Sequence, residues 1–439
     1  MPYSIYLETY GCTANTNDAE MIKGLLASHG FNITNNEHIA DVIIINTCVV
    51  KDPTIKKIEI RIKHFLELKK KLIISGCMPE VQSKRLEKLA PQASLVSHYH
   101  IKEISKAVKN LLEGKHMVLI GKSNKDETKL GLPKAREKQI IGISQVCQGC
   151  LGSCAYCYTK QAKGSLFSFP EDQIIKNVEQ DIAAGCKEIW LTSQDNVLYG
   201  IDFEENTKKV SQLPRLINKI CDLKHKFFLR VGMMNPEYIL PVLDELIESY
   251  QNEKVYKFLH IPIQSGSDKV LKLMNRKYQV KDSLEIVDGF KKEFPSITIS
   301  TDIIVGFPGE TEEDFQKTLG IISKIKPDVL NISRFWAMPD TEAAKLKQQI
   351  SPSIKRERAT KLMNLHAKIA LENKILLINK EYKVLVDEKG FKDTWLARNE
   401  NYQLIILRSQ ENLLGKFLKV RIKEAKAHYL IGELVQLFS

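Results

Sequence analysis

The chain of 439 residues contains no uninterrupted apolar stretch near the roughly 18 residues needed to cross a bilayer, so no membrane span is expected. Its start, Met1 to Glu8, has neither a basic region nor a long apolar run, and no export signal is expected. There is no period-locked repeat and no low-complexity tract, which argues against solenoids and disordered linker arrays. Acidic residues are in deficit: 53 Asp and Glu face 65 Lys and Arg, a formal net charge of +12. That surplus favours a polyanionic partner without deciding the fold. Hydrophobic residues make up 43%, an ordinary globular share that excludes collagen-like and fully disordered chains. Cysteine is what the chain has in plenty. Nine cysteines in a chain expected to be cytoplasmic are poor candidates for structural disulfides and point to metal.

The patterning predicts an α/β protein in three parts. Over residues 1–121, β-rich runs such as Ser4–Leu7, Asp41–Ile45 and Lys71–Ile74 alternate with helical stretches (Asp18 to Ser28, Thr54 to Lys70), the signature of a doubly wound α/β domain. Residues 122–138 are polar, carry Gly131 and Pro133, and read as a linker. Over 139–379 a second series places strands at Ile141–Val146, Glu188–Thr192, Phe227–Val231, Phe258–Ile263, Thr298–Val305 and Val329–Phe335. Six strand–helix units predict a partial, open (β/α)6 barrel, followed by a basic helix from Ile354 to Lys380. Residues 380–439 have the short strands and turns of a small all-β barrel.

The run Cys150-Leu-Gly-Ser-Cys154-Ala-Tyr-Cys157 follows the first strand of the second series with the spacing C-x3-C-x2-C. Three thiolates this close can cap three irons of a 4Fe-4S cube and leave the fourth iron open for a substrate or cofactor. Structural zinc prefers four ligands in pairs, which this spacing does not supply. Cys147 admits two readings, a fourth thiolate of a ferredoxin-like run or a strand-end residue packed under the loop; the packing reading is preferred. Cys12, Cys48 and Cys77 are far apart in sequence, yet each follows a predicted strand, after Tyr10-Gly11, Asn46-Thr47 and Ser75-Gly76. The carboxyl ends of parallel strands share one sheet edge, where ligands bind, so the three can converge on a second metal site. Cys186 and Cys221 have no partner in the pattern and read as packing residues.

The loop Cys150 to Cys157 resembles that of the radical S-adenosylmethionine (SAM) enzymes. The resemblance implies that Cys150, Cys154 and Cys157 hold a cluster whose open iron is chelated by SAM, with Tyr156 lying against the adenine. Reductive cleavage of SAM would supply a 5′-deoxyadenosyl radical, with the protein positioning the cofactor. Thr9-Tyr10-Gly11-Cys12 with Asn15 and Asp18, Asn46-Thr47-Cys48, Ser75-Gly76-Cys77, Gly149-Cys150, His260-Ile-Pro-Ile-Gln-Ser-Gly-Ser267 and Thr301-Asp302 to Glu310 extend the likeness. Together they resemble the methylthiotransferase family over nearly the whole chain, with the closing barrel similar to an RNA-binding TRAM domain.

The family resemblance implies two 4Fe-4S clusters, the second on Cys12, Cys48 and Cys77 holding the sulfur to be inserted. It also implies two uses of SAM, a tRNA partner, an electron donor and a sulfur source. Asn46 to Thr54, Gly185 to Asp195 and Leu229 to Pro236 look like the archaeal and eukaryotic branch, which adds a methylthio group at C2 of N6-threonylcarbamoyladenosine 3′ of the anticodon (position 37). Isopentenyl-adenosine in tRNA and an aspartate of a ribosomal protein are the other substrates in the family. A non-enzymatic iron–sulfur RNA-binding protein is the alternative of another class. The chain departs from the family at Met338 and Asp340, where Arg-Pro-Gly-Thr is usual, and at Lys163, where Arg is usual.

Gln194, Arg230 and Gln264 sit at predicted strand carboxyl ends of the partial barrel and are candidates for SAM contacts. No catalytic residue beyond the cluster ligands is identified. In Phe417 to Lys423, the cations Lys419, Arg421 and Lys423 alternate with Leu418, Val420 and Ile422, so a strand there puts three cations on one face. That face suits phosphate contacts, with Trp395, Tyr402 and Tyr429 offered for base stacking.

Overall fold

Runs of β-branched residues set the first sheet, and the burial of both their faces makes it parallel. The computed structural model describes residues 2–122 and 129–437, the last by its backbone only. Strands β1 (Ser4–Thr9), β2 (Asn32–Thr34), β3 (Val42–Thr47), β4 (Lys71–Gly76), β5 (Ser94–Ser97) and β6 (Val118–Leu119) pair in parallel in the order β2-β1-β3-β4-β5-β6. The helix Thr13–Ser28 after β1 and the helix Asp52–Glu67 after β3 pack on opposite faces, with separate cores. The crevice between β1 and β3 is therefore the topological switch point of the sheet.

The first helix begins at Thr13, five residues before the expected Asp18. Thr13 to Asn17 has weak helix propensity and reads as a loop. Tertiary hydrogen bonds override that: Asn15 Nδ2 donates to Tyr10 O (2.9 Å) and Thr47 O (2.8 Å), and Asn46 Nδ2 donates back to Asn15 O (2.8 Å).

Within the polar segment 122–138, residues 123–128 lie outside the described residues. The rest straps the two α/β units together. Ala135 N donates to Glu20 O (2.9 Å) in the first helix, Lys134 pairs with Asp181 (3.1 Å), and Arg136 pairs with the same carboxylate.

The second unit contains β7 (Ile141–Gln145), the short antiparallel pair β8 (Cys147–Gln148) and β9 (Phe167–Ser168), then β10 (Glu188–Thr192), β11 (Phe228–Val231), β12 (Phe258–His260), β13 (Thr298–Val305) and β14 (Val329–Arg334). Strands β7, β10 and β11 form one parallel arc and β12, β13 and β14 another. A single bridge, Leu229 to Val255, and the bond from Met234 N to His260 O (3.0 Å) join the arcs into a partial six-stranded barrel. Alternation along the strands sends Ile189, Leu191, Leu229, Val231 and Leu259 into the core beneath the helices. Trp190, Arg230 and Phe258 point the other way, into the lumen.

Strands β15 (Glu381–Lys389), β16 (Thr394–Asn399), β17 (Leu404–Arg408), β18 (Phe417–Ala425) and β19 (Leu430–Leu437) close a small barrel in the order β15-β16-β17-β19-β18. It rests on the amino-terminal end of the partial barrel. Lys257 N donates to Glu400 O (2.8 Å), Lys187 Nζ to Gly415 O (2.7 Å), and Lys138 pairs with Glu388 (2.7 Å). Both cysteine loops lie at strand carboxyl ends, so the two functional faces are separated along the strand direction.

Candidate metal centres

Strands β1, β3 and β4 are neighbours, with Thr9 opposite Asn46 and Thr47 opposite Gly76. Cys12, Cys48 and Cys77 leave those three strands at the same edge. Two glycines permit the approach. Gly11 has φ +115°, and a Cβ there would lie 2.7 Å from Cys48 Cβ and 2.9 Å from its Sγ. Gly76 has φ +90°, and a Cβ there would lie 2.5 Å from Thr47 O. Only glycine fits either place. Cys48 and Cys77 are buried and Cys12 is exposed, so the trio has one side open to an incoming group. Burial pushes the Cys48 thiol up to about 12, and the neighbouring Cys12 and Cys77 add to the rise. A bound metal reverses that order, because a coordinating thiol is deprotonated outright.

The second trio is local. Gly152 places a hypothetical Cβ 3.3 Å from Cys150 Sγ and 3.8 Å from Cys154 Sγ, so these sulfurs flank one point. Gly152 N donates to Cys150 Sγ (3.2 Å). Gln194 Oε1 accepts from Gly149 N (2.8 Å), Lys160 Nζ donates to Cys150 O, and Asn275 Nδ2 donates to Ser153 O (2.7 Å), which together pin both flanks of the loop. Burial pushes the Cys150 thiol up to about 12, and the carboxylate of Asp195 adds to it.

In chemistry both donor sets, three thiols each, suit an iron–sulfur cube with one iron left open. All six sulfurs are free thiols. Among the described residues no three His, Cys, Asp or Glu groups converge tightly enough for a single ion. A cube spreads its thiolates over separate irons and asks for a wider triangle than tetrahedral zinc does. The segments that follow Cys77 and Cys157 pack together. Cys77, Met78, Tyr158, Ala162 and Met338 belong to one packed cluster, and Tyr158 OH donates to Val81 O (3.4 Å) across the junction. Met338 is thus a buried packing residue of the cluster that also holds Cys77 and Tyr158. Asp340 has φ +58°, the left-handed region that explains why glycine is usual there and that Asp tolerates.

The remaining candidates are distributed unevenly. Tyr156 is half-buried beside the loop, edge-on to Phe307 at a centroid distance of 6.3 Å. Gln264 has φ +70°, and its backbone N donates to Asp302 O (2.8 Å), next to the pair His260 Nε2–Asp302 Oδ2 (2.6 Å). Arg230 is wedged among the rings of Trp190, Phe258 and Tyr402, its guanidinium 5.0, 5.0 and 5.1 Å from their centroids. Cys147 is buried in the barrel core with its Sγ on Asp195 O (3.7 Å), and Cys186 and Cys221 are buried likewise.

Sequence reasoning missed Arg276. Its Nη1 donates to Cys154 Sγ (3.0 Å), Nη2 to Asn235 Oδ1 (2.8 Å) and Nε to Tyr278 OH (3.1 Å). A charge-assisted bond to a sulfur stabilises its thiolate form. Arg276 lies 122 residues from Cys154, and no local spacing announces the contact. Asp195 was missed too. Burial raises its carboxyl to about 7, and Asn235 N bonds to its Oδ1 (3.0 Å).

On the closing barrel, Leu418, Val420 and Ile422 are fully buried, while Lys419, Arg421 and Lys423 point outward. The cations carry weak, exposed pairings: Lys419 and Arg421 with Glu381 (2.7 and 2.6 Å), Lys423 with Glu433 (3.2 Å). The expected stacking rings are spent elsewhere. Trp395 is buried in the barrel core, and Tyr402 packs on Tyr256 and Phe258 at 4.8 and 5.0 Å. Both rings serve burial, because a barrel this small has few other large apolar groups to fill its core and its seat. Tyr429 remains half-buried.

Three family models match along the chain. The Radical SAM superfamily matches residues 144–322, the Uncharacterized protein family UPF0004 residues 4–97, and the TRAM domain residues 376–435. A probable threonylcarbamoyladenosine tRNA methylthiotransferase of Pyrococcus horikoshii is 39% identical over 98% of this chain and 99% of its own length. That of Archaeoglobus fulgidus is 40% identical over 98% of each chain. The threonylcarbamoyladenosine tRNA methylthiotransferase of Homo sapiens is 36% identical over 98% of this chain and 74% of its own. A radical SAM methyltransferase from Kitasatospora setae shares the fold at a TM-score of 0.56, covering 78% of this chain and 77% of that one at 13% identity. Among the described residues no helix is long and apolar enough to cross a membrane. As a radical SAM protein the chain takes a 4Fe-4S cluster and SAM, and a second cluster is typical of its relatives. Two thiol trios at adjoining strand edges, three matching domains and identity of this level over almost the entire length lead to one assignment: the chain belongs to the threonylcarbamoyladenosine tRNA methylthiotransferase family.

Proposed function

We propose that this chain is a cytoplasmic enzyme that converts N6-threonylcarbamoyladenosine at position 37 of tRNA to its 2-methylthio derivative, drawing on an electron donor and a sulfur source. The observation that carries the reading is that Cys77 and the segment after Cys157, through Tyr158 and Ala162, pack into one cluster. In this reading Cys150, Cys154 and Cys157 hold one cluster and Cys12, Cys48 and Cys77 the other. When bound, the clusters and SAM supply a carbon-centred radical and a held sulfur, chemistry that belongs to the cofactors.

The chain's own residues position and enclose. Gln194 clamps the backbone at Gly149, Lys160 holds Cys150 O, and Arg276 ties Cys154 to Asn235 and Tyr278. Tyr156, Gln194 and Gln264 are the residues we assign toward SAM. Arg230, held by rings from two domains, seats the closing barrel instead. Lys419, Arg421 and Lys423 take tRNA phosphates by exchanging their glutamate partners for the nucleic acid.

Anaerobic reconstitution should give about eight irons per chain, two cubes, together with cleavage of SAM to 5′-deoxyadenosine. One cluster, or no cleavage, rejects the mechanism. Nucleoside mass analysis of tRNA from a deletion strain should show loss of methylthio-threonylcarbamoyladenosine. An unchanged level rejects the substrate, and loss of a methylthio group from isopentenyl-adenosine or from a ribosomal-protein aspartate redirects it.

A further inference from the structure

A buried polar cluster behind Cys12, Cys48 and Cys77 is left unused by that mechanism. Asp18, in the helix that starts after Cys12, accepts a hydrogen bond from Lys129 Nζ at 2.9 Å. Its other oxygen lies 3.8 Å from Lys163 Nζ, beyond hydrogen-bond distance. Lys163 ends the short helix Thr159–Lys163 that follows the Cys150–Cys157 loop, and Tyr99 OH fixes its carbonyl at 2.9 Å. The Lys163 side chain is only 1% exposed, and its Nζ has no hydrogen-bond partner among the described residues. Asp18 Oδ2 and both ring nitrogens of His98 are equally unpartnered, and His98 N is bonded to Gly76 O, one residue before Cys77.

A desolvated ammonium without an acceptor costs several kcal/mol. It persists where an anion faces it. The groups that act on Lys163 electrostatically include Cys77, Asp18, Cys12 and Tyr99, contributed by three segments, those after β1, β4 and β5. Lys129 shares the one carboxylate among them. Two cations to one carboxylate leaves positive charge over, beside three thiols, and the neutral His98 ring adds none of either sign: burial holds its pKa well below the ordinary value.

We propose that Lys163 is the counter-ion of the sulfur-holding centre, a positioning residue that seats a small monoanionic sulfur ligand, of the hydrosulfide or thiolate class, against the Cys12–Cys48–Cys77 trio. Lys129 and Asp18 set how much of its charge is available. The inference rests on the reading that this trio holds a cluster with an open iron. It also gives the departure from the usual arginine a consequence: a lysine ammonium is a compact point charge that can face one sulfur atom, where a guanidinium presents a planar fork.

The test uses the full chain with Cys150, Cys154 and Cys157 replaced by Ala, so that one cluster of about four irons remains. Its electron paramagnetic resonance signal after reduction is titrated with sodium sulfide, sodium methanethiolate and neutral dimethyl sulfide. Lys163→Met should raise the half-saturating concentration of both anions at least about tenfold, leave dimethyl sulfide unchanged, and retain iron. Lys163→Arg should recover most of the loss. Asp18→Asn, which frees charge on both lysines, should shift the anions the other way, toward tighter binding. Anion titrations unaltered in Lys163→Met overturn the proposal. So does Asp18→Asn binding anions equally or more weakly, the deciding measurement if Lys163→Met holds no iron. A parent chain that takes up no iron at all overturns the cluster assignment itself and the proposal with it, an outcome distinct from iron bound without dependence on Lys163. A loss for sulfide alone identifies inorganic sulfide as the ligand, and a loss for methanethiolate alone identifies the methylated form.

Discussion

The two thiol trios are built in opposite ways. Cys150, Cys154 and Cys157 sit on one loop, oriented by neighbours in sequence and steadied by Gln194, Lys160 and Arg276. Cys12, Cys48 and Cys77 come from three strands and meet because Thr9, Asn46, Thr47 and Gly76 are in register. The first trio can keep its spacing while the surrounding barrel relaxes. The second exists only while the sheet is intact, since a slip of one residue would turn every side chain to the other face. On the proposed function, chemistry that must first generate and then deliver a reactive group is divided between a locally encoded centre and one that depends on folding of the amino-terminal sheet.

The sharpest way to break this contrast is to delete one sulfur from each trio. Cys154→Ala should lower 5′-deoxyadenosine formation at least about a hundredfold, a loss of near 2.7 kcal/mol or more in barrier terms. Cys48→Ala should keep that formation within about threefold (under 0.7 kcal/mol) while methylthiolated product disappears. Product made by the Cys48 variant, or cleavage by the Cys154 variant, would erase the division of labour.

Gly76→Ala tests whether the dispersed trio depends on backbone approach. Its Cβ would meet Thr47 O at 2.5 Å from a φ of +90°. Destabilisation of the amino-terminal sheet by about 1–3 kcal/mol is expected from strain of this kind. Iron should fall from about eight to about four per chain, with the loop cluster kept. Eight irons in a stable variant would show the trio to be as tolerant as the loop.

Arg276→Leu should act on the loop trio alone. Removal of a charge-assisted bond to Cys154 Sγ is worth about 1.5–3 kcal/mol, so SAM cleavage should slow by about ten- to a hundredfold. The loop cluster's midpoint potential should fall, with Arg276→Lys intermediate. A potential unchanged in Arg276→Leu would leave the residue a purely structural role.

The smallest effect belongs to the opposite end of the molecule. Replacing Lys419, Arg421 and Lys423 by Gln should flatten the salt dependence of tRNA binding by about two units of slope, with SAM cleavage in the absence of tRNA unchanged. This substitution is a cleaner probe than truncation near residue 380. Removing the barrel would also strip Tyr402 from Tyr256, Phe258 and Arg230 and open the amino-terminal end of the partial barrel. An unaltered slope would remove the strand from the tRNA interface.

Legibility followed the distance over which each feature is encoded. The loop trio, the strands of both α/β units and the inward–outward alternation of Phe417 to Lys423 are written in neighbouring residues. The strand-end pattern before Cys12, Cys48 and Cys77 was legible because parallel sheets impose a common edge. Trp395 and Tyr402 misled for the same reason that aromatics often do: one ring can fill a core or receive a base, and only its surroundings decide. The helix expected from Asp18 starts at Thr13 because Asn15 bonds to Tyr10 and Thr47 stabilise its first turn, which local propensity does not register.

From its sequence alone this chain carried the spacing and strand-end placement of its two thiol trios, its three-part architecture and its family likeness, since spacing and periodicity are local properties of the polymer. The tertiary structure decided which groups beyond the cysteines attend each centre. Arg276 on Cys154, Gln194 on Gly149, Met338 in the cluster with Cys77 and Lys163 beside Asp18 all join residues that are remote along the chain. Hydrogen bonds and charge pairing of this kind act over a few ångströms of space, whatever length of chain lies between the partners, and packing of the whole molecule is what brings them within that range.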